Sequence, residues 1–264
     1  MQSSGGDTGL ESYGELSAKL HAATDDAIVF DGVSFTIGGH HVLENVSFGV
    51  KKGSTVAIMG PSGIGKSTIL RLITGLFTPQ KGDVRVFGTS VVKGSEERRN
   101  KIRKCMGMVF QNGALFDSMT AGENVGYGLL ENSDKKLAEI ESQVRNYINI
   151  VGLNPDFVID RLPDQLSIGM QRRVAIARAL AFDEPEIMLY DEPTTGLDPV
   201  SVKMITDVIV RLQHELHVTS LVVTHEIQHA LKVANRFVFL YDRRIAFDGN
   251  AKELAESKEP ALVS

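Results

Sequence analysis

Gly60-Pro61-Ser62-Gly63-Ile64-Gly65-Lys66-Ser67 sets glycines, an amine and a hydroxyl at the spacing G-x-x-x-x-G-K-[ST], with Thr68 next. Glycines let backbone N–H groups crowd around phosphate oxygens, and a helix N-terminus adds partial positive charge there. In such a loop Lys66 reaches the β- and γ-phosphates, and the Ser67 hydroxyl ligates Mg²⁺. The flanks supply the context that the motif needs. Val56 to Met59 is an apolar run that predicts a buried strand, while Ile69, Leu70, Leu72, Ile73 and Leu76 recur at helical spacing. The chemistry implied is the binding of a nucleoside triphosphate with Mg²⁺.

Four further features sit at predicted strand ends or at a helix start. Asp191 closes the apolar run Ile187 to Tyr190 and is followed by Glu192. A carboxylate at the C-terminal edge of a parallel strand can hold Mg²⁺ through water, and the next one can polarise a water for attack on the γ-phosphate. His225 ends the run Leu221 to Thr224, and Gln111 ends Met106 to Phe110. Each alone is an ordinary edge residue. Leu166-Ser167-Ile168-Gly169-Met170 precedes a helix predicted from about Gly169 to Leu180. A serine N-cap explains it plainly, but Ser167 and the Gly169 N–H also make an anion site. That site has no phosphate left to bind in its own subunit, where the phosphate loop is complete.

The elements that must position these residues alternate between strand and helix. Ile28 to Ile37, with Val33, Phe35 and Ile37 on one face, and Val42 to Val50 predict two antiparallel strands before the phosphate loop. Val84 to Phe87 predicts another strand, and Lys93 to Lys104 a solvated helix face. Residues 112–168 look mainly helical, with Leu137, Ile140, Val144, Tyr147, Ile148 and Val151 at spacings of three and four. Thereafter α/β alternation resumes, with Val202, Ile205, Val208, Ile209 and Leu212 on one helix face and a strand at Val238 to Leu240. A flexible N-terminal tail over 1–25, in which Leu10, Leu16 and Leu20 could mark a short helix, and a C-terminal tail over 251–264 complete the division around a domain at 26–250.

Composition narrows the classes. With 264 residues, 42% hydrophobic and 23% charged, the chain is long enough for one large α/β domain with an inserted subdomain. A net charge of −5 and a pI near 5.8 argue against a nucleic-acid partner. The single cysteine, Cys105, is expected half-buried in a strand, and no apolar run approaches the roughly 20 residues of a spanning helix.

Phosphate loop, strand-end Gln111, LSIG before a helix, apolar run with Asp191-Glu192, Gly196-Leu197-Asp198 and strand-end His225 together resemble the ATP-binding subunit of an ABC transporter over about residues 26–250. The resemblance implies a P-loop α/β core with an antiparallel β subdomain and an inserted helical subdomain. It also implies two copies paired head to tail, each ATP lying between one copy's phosphate loop and the other's signature. By position, Gln111 senses Mg²⁺ and the attacking water, Ser167 and Gly169 touch the γ-phosphate across the dimer, Asp198 is the D-loop aspartate, and His225 is the switch histidine. Two residues depart from the pattern: Ile168 replaces the first glycine of LSGGQ, and Ile37 stands where the family often has an aromatic that stacks on adenine.

A finer resemblance, in GPSGIGKST (60–68) and QNGALFDSMTAGENV (111–125), is to the ATPases of Mla-type, MCE-associated phospholipid transporters. It implies integral permease subunits and an MCE-type substrate-binding protein as partners. It places the chain peripherally on the cytoplasmic face of the inner membrane, or on the stromal side of the envelope if the chain is plastid-derived. Leu115 and Phe116 are then a candidate permease-docking pair. An importer ATPase for a small polar solute and a soluble ABC-type ATP clamp are the alternatives; a small-molecule kinase leaves Ser167, Asp198 and His225 unexplained.

Overall fold

The computed structural model describes residues 25–133, 135–182 and 184–259. Two sheets carry the fold. In the first, β1 (Asp26–Ile37) pairs antiparallel with both β2 (His40–Lys51) and β4 (Lys81–Val86), and β5 (Thr89–Ser90) extends β4. The second runs in the order β10 (Arg244–Gly249), β9 (Arg236–Tyr241), β3 (Thr55–Met59), β8 (Thr219–Val223), β7 (Ile187–Asp191), β6 (Met106–Val109). All but β10 are parallel there, and every residue of β3 and β8 is buried. A strand covered on both faces favours a continuous apolar stretch such as Val56–Met59 or Leu221–Val223, which is the signal that marked them in the sequence.

One core lies between the two sheets around α1 (Lys66–Ile73), joining Phe30, Leu43, Ile69 and Leu189. The other covers the opposite face of the parallel sheet beneath α6 (Ile168–Ala181) and α7 (Pro199–Leu216). Against α6 pack α3 (Ala121–Asn132) and α4 (Leu137–Ile150), followed by the short α5 (Pro155–Val158) and a 3₁₀ turn (Pro163–Gln165). Among the described residues from 121 to 165, every regular element is a helix.

Some expectations need correction. Gly75, at φ +67°, ends the first helix, so Leu76 leaves it and is 62% exposed. Ile37 does not share the buried face of Val33 and Phe35; it borders the Gly38-Gly39 turn and is 48% exposed. Cys105 is buried, but it caps the C-terminus of α2 (Glu96–Lys104) instead of lying in a strand. The C-terminal segment, expected as a helix end and a loose tail, begins with a helix, α9 (Ala251–Glu256), capped by Asn250, with Leu254 packed on the Phe237–Phe239 cluster. The N-terminal stretch with Leu10, Leu16 and Leu20 lies outside the described residues. Among the described residues, no helix is long and apolar enough to cross a membrane.

Candidate nucleotide site

Strand order assembles the site. Neighbours β3, β8, β7 and β6 are parallel, so the residues that follow them fall along one edge of the sheet. After β3 comes the phosphate loop, after β8 His225, after β7 Glu192, and after β6 Gln111. Lys66, Ser67, Thr68, Gln111, Glu192 and His225 line one cavity of about 860 Å³, with the loop glycines on its wall.

The loop is shaped by backbone that only glycine adopts readily. Gly60 has φ +144°, and a Cβ there would strike the Leu240 carbonyl; Gly65 has φ +107° and lies against Val42. At Gly63, by contrast, nothing stands within 4 Å of an added Cβ, leaving the loop open toward the cavity. Lys66 is buried. Its Nζ donates to the carbonyls of Gly60 (2.9 Å) and Pro61 (3.0 Å) and stands 3.6 Å from Glu192 Oε1. Ser67 Oγ donates to Asp191 Oδ1 at 2.8 Å. Burial pushes the Asp191 carboxyl up, the Ser67 bond opposes this, and the Glu192 charge adds to the rise.

Glu192 is the unusual residue. It is not a glycine, yet its φ is +49°, a conformation held by its N–H donating to the Val223 carbonyl at 2.9 Å. Its Oε2 lies 2.6 Å from His225 Nδ1 and accepts from Thr195 Oγ1 at 2.7 Å. Ser67 and Asp191 offer a hydroxyl and a carboxylate side by side, with the Gln111 amide lining the same cavity. Such an oxygen set fits Mg²⁺, which takes few protein ligands and completes its shell with phosphate oxygens and water.

The remaining sequence candidates are elsewhere. Ser167 is the N-cap of α6, its Oγ accepting from Met170 N at 3.2 Å. Gly169 is buried so tightly that a Cβ would strike Ser201 Oγ. Asp198 caps α7 by accepting from the N–H groups of Val200 and Ser201, both at 3.0 Å. The Ser201 side chain and these amides hold its carboxyl below the usual range. Two helix N-termini therefore meet at the surface, and neither lines the phosphate cavity. Phe35, the aromatic nearest to Ile37 along the chain, is in the core and stacked on Phe77 at 5.2 Å.

A family profile described as "ABC transporter" matches residues 43–195. The chain belongs to the ABC transporter ATP-binding family. It is 36% identical to the "Intermembrane phospholipid transport system ATP-binding protein MlaF" of Haemophilus influenzae, over 88% of this chain and 86% of the relative. It is 39% identical to the chloroplastic protein Trigalactosyldiacylglycerol 3 of Arabidopsis thaliana, over 86% of this chain and 69% of that one. At 34%, over 89% of this chain and 67% of the relative, it is similar to a "Probable ribonucleotide transport ATP-binding protein" of Mycobacterium leprae. Among solved structures it resembles a dimeric, post-hydrolysis ATP-binding cassette bound to ADP and Pi, with TM-score 0.77, 33% identity, and coverage of 84% of this chain and 98% of that one.

The chain is thus an ABC ATPase. Several residues that hold this cassette's site carry no motif of their own. Arg172 reaches from α6 to the Phe110 carbonyl (2.8 Å), and Arg178 to those of Ala114 (2.7 Å) and Gly113 (2.9 Å), so the signature helix grips the loop bearing Gln111. Asn124, fully buried, accepts from Phe116 N and donates to the carbonyls of Phe116, Met119 and Thr120. A second cavity, of about 890 Å³ and lined by Lys52, Tyr147, Glu184 and His217, opens at the opposite strand ends and contains none of the motif residues.

Proposed function

We propose that this ABC ATPase drives phospholipid transport between membranes, working as a homodimer on integral permease subunits together with an MCE-type substrate-binding protein. The observation that carries the lipid reading is the 36% identity, over nearly the whole of both chains, to a relative named for intermembrane phospholipid transport. The seat follows: peripheral, on the cytoplasmic face of the inner membrane or its plastid equivalent.

In the mechanism, loop N–H groups receive the triphosphate, and Lys66 leaves the Gly60 and Pro61 carbonyls for its β- and γ-oxygens. Ser67, Asp191 and Gln111 would hold Mg²⁺, which would supply positive charge against the phosphate oxygens. Glu192 orients and deprotonates the attacking water, and His225 turns from Glu192 to the γ-phosphate. Ser167 and the Gly169 N–H of the second copy close over the nucleotide from α6. Asp198, at the start of α7 beside Gly169, faces the same junction between copies.

Phe116 supports a docking role. It is 43% exposed, packs on Tyr127 with ring centroids 5.1 Å apart, and lies under Arg178. Leu115 is half-buried against the helical core, so Phe116 is the cleaner residue to change. Co-purification from membranes, with mass spectrometry of bound proteins and lipids, should return the permease and phospholipid. In vesicles carrying the assembled transporter, labelled phospholipid should move only with ATP and Mg²⁺, and Phe116→Asp should abolish co-purification while sparing ATP binding. Movement of a ribonucleotide or another small polar solute in place of lipid would overturn the lipid reading and leave the ATPase intact.

A further inference from the structure

We propose that Thr195 is a positioning residue: its hydroxyl fixes the Glu192 carboxylate so that one defined oxygen faces the attacking water. The inference rests on the reading of Glu192 as the group that handles that water.

Three side chains reach the Glu192 carboxylate, which is only 12% exposed. His225 Nδ1 and Thr195 Oγ1 both approach Oε2, at 2.6 and 2.7 Å, whereas Lys66 Nζ is 3.6 Å from Oε1. The three are not equivalent. Lys66 and His225 are the groups that turn to phosphate when nucleotide enters, and His225 is 48% exposed and free to swing. Thr195 has no such freedom. It closes a turn with Glu192, its N–H 3.3 Å from the Glu192 carbonyl, and branching at Cβ restricts its rotamer.

The turn is anchored from the other side as well. Buried Thr194 places Oγ1 3.3 Å from Nδ1 of His229, which lies 2.7 Å from Glu226 Oε2, tying the loop to α8 (Ile227–Val233). Adjacent threonines thus serve opposite purposes. Thr194 fastens the loop, and Thr195 serves the carboxylate. Once Lys66 and His225 have turned away, the Thr195 bond is the one that remains on Oε2. Oε1, on the phosphate-loop side, is then the oxygen left to accept from water. Without that bond the carboxylate rotates about its last torsion, which is broad and roughly two-fold, and the productive orientation is populated only part of the time.

The test uses the full chain assembled with its permease and Thr195→Val, which keeps shape and branching but loses the hydroxyl. Loss of a hydrogen bond to a charged group should lower kcat by roughly 10- to 100-fold. KM for ATP and the ATP dissociation constant should stay within about twofold, and Thr195→Ser should restore most of the rate. In the Glu192→Gln background, adding Thr195→Val should change single-turnover hydrolysis by less than about twofold, because the two side chains act as one unit. Equal loss in both backgrounds, or a kcat unchanged by Thr195→Val while Glu192→Gln is inactive, overturns the positioning role. A Glu192→Gln variant with normal turnover overturns the underlying reading instead.

Discussion

The phosphate-loop edge and the signature edge are built from the same device, a helix N-terminus beside a carboxylate, yet they end in opposite states. At the phosphate loop three charged groups are answered within the chain: Lys66 by two carbonyls, Asp191 by Ser67, Glu192 by His225 and Thr195. At the signature edge Ser167 and Asp198 cap their own helices, and exposed apolar side chains stand beside them. Ile168, Val200 and Met204 are all exposed there. One edge is a site closed on itself until phosphate displaces its internal bonds. The other is half of a joint, and its meaning lies in a second surface. On the proposed mechanism catalytic chemistry belongs to the first and assembly to the second, so damage to each should read out differently.

The largest effects belong to the self-contained edge. Glu192→Gln should keep ATP affinity while turnover falls by about 10²–10⁴, the usual contribution of a general base. Lys66→Ala should fail earlier, at ATP binding. Calorimetric titration beside steady-state rates separates the two; normal hydrolysis by the glutamine variant would remove Glu192 as the base. Because its nucleotide stays unhydrolysed, Glu192→Gln with ATP and Mg²⁺ should also dimerise in light scattering.

The signature edge should break through geometry. Gly169→Ala puts a methyl group against Ser201, so either the start of α6 or the first turn of α7 must move. A misplacement of about 1 Å can cost on the order of 10²-fold in rate. Unlike Lys66→Ala, this variant should bind ATP normally as a monomer while losing ATP-driven dimerisation. If it dimerised and hydrolysed like the parent protein, the two edges would not be coupled in this way.

A smaller effect separates the edges by pH. Burial raises the Asp191 carboxyl, so between the ordinary carboxylate range and that raised value the folded chain holds more protons than the unfolded one. Stability therefore falls as pH rises through that window, and above it the nucleotide-free protein carries the penalty. Asp191→Asn should melt higher than the parent protein at pH 7 without nucleotide, the gap narrowing as the solution is acidified below the carboxylate range. Asp198 is held low, so Asp198→Asn should do the reverse and melt lower at pH 7. Calorimetry of both across pH would overturn this pairing if they shifted alike.

What was legible in the sequence was what depends on neighbours along the chain. Buried parallel strands, the glycine loop and the helix face of Val202 to Leu212 are short-range patterns, and the fold is the ABC ATPase core that their order resembled. What escaped was made by residues distant in sequence. Arg178 meets Ala114 across 64 positions and Arg172 meets Phe110 across 62. Thr195 became noticeable only when the backbone at Glu192 turned left-handed. Strand β10 was missed because only its neighbour β9 explains why Arg244 to Gly249 should be extended. Leu115 and Phe116 look alike in sequence; packing alone separates the core residue from the exposed one.

The smallest expected effect concerns Ile168, where the chain departs from its family's signature. A left-handed backbone at this position would have made a β-branched residue costly, by about 1–2 kcal/mol. The structure removes that possibility: Ile168 is the first residue of α6, has no positive φ, and is 61% exposed. In the proposed dimer its influence is therefore bulk at the junction between two copies. Ser167 and Gly169 keep their places beside it, so the loss is much less than the 10²–10³-fold that follows removal of an aligned donor. We expect Ile168→Gly to raise turnover by about two- to fivefold, the equivalent of ~0.5–1 kcal/mol. ATP affinity should hardly change, because the phosphate loop of the same chain is untouched. A glycine at a helix start also weakens the helix by up to about 1 kcal/mol, so melting temperature must be read beside the rate. Steady-state ATPase rates of both proteins assembled with the same permease decide it. An equal or lower rate for a glycine variant that melts normally would mean that the isoleucine belongs to the joint and does not obstruct it.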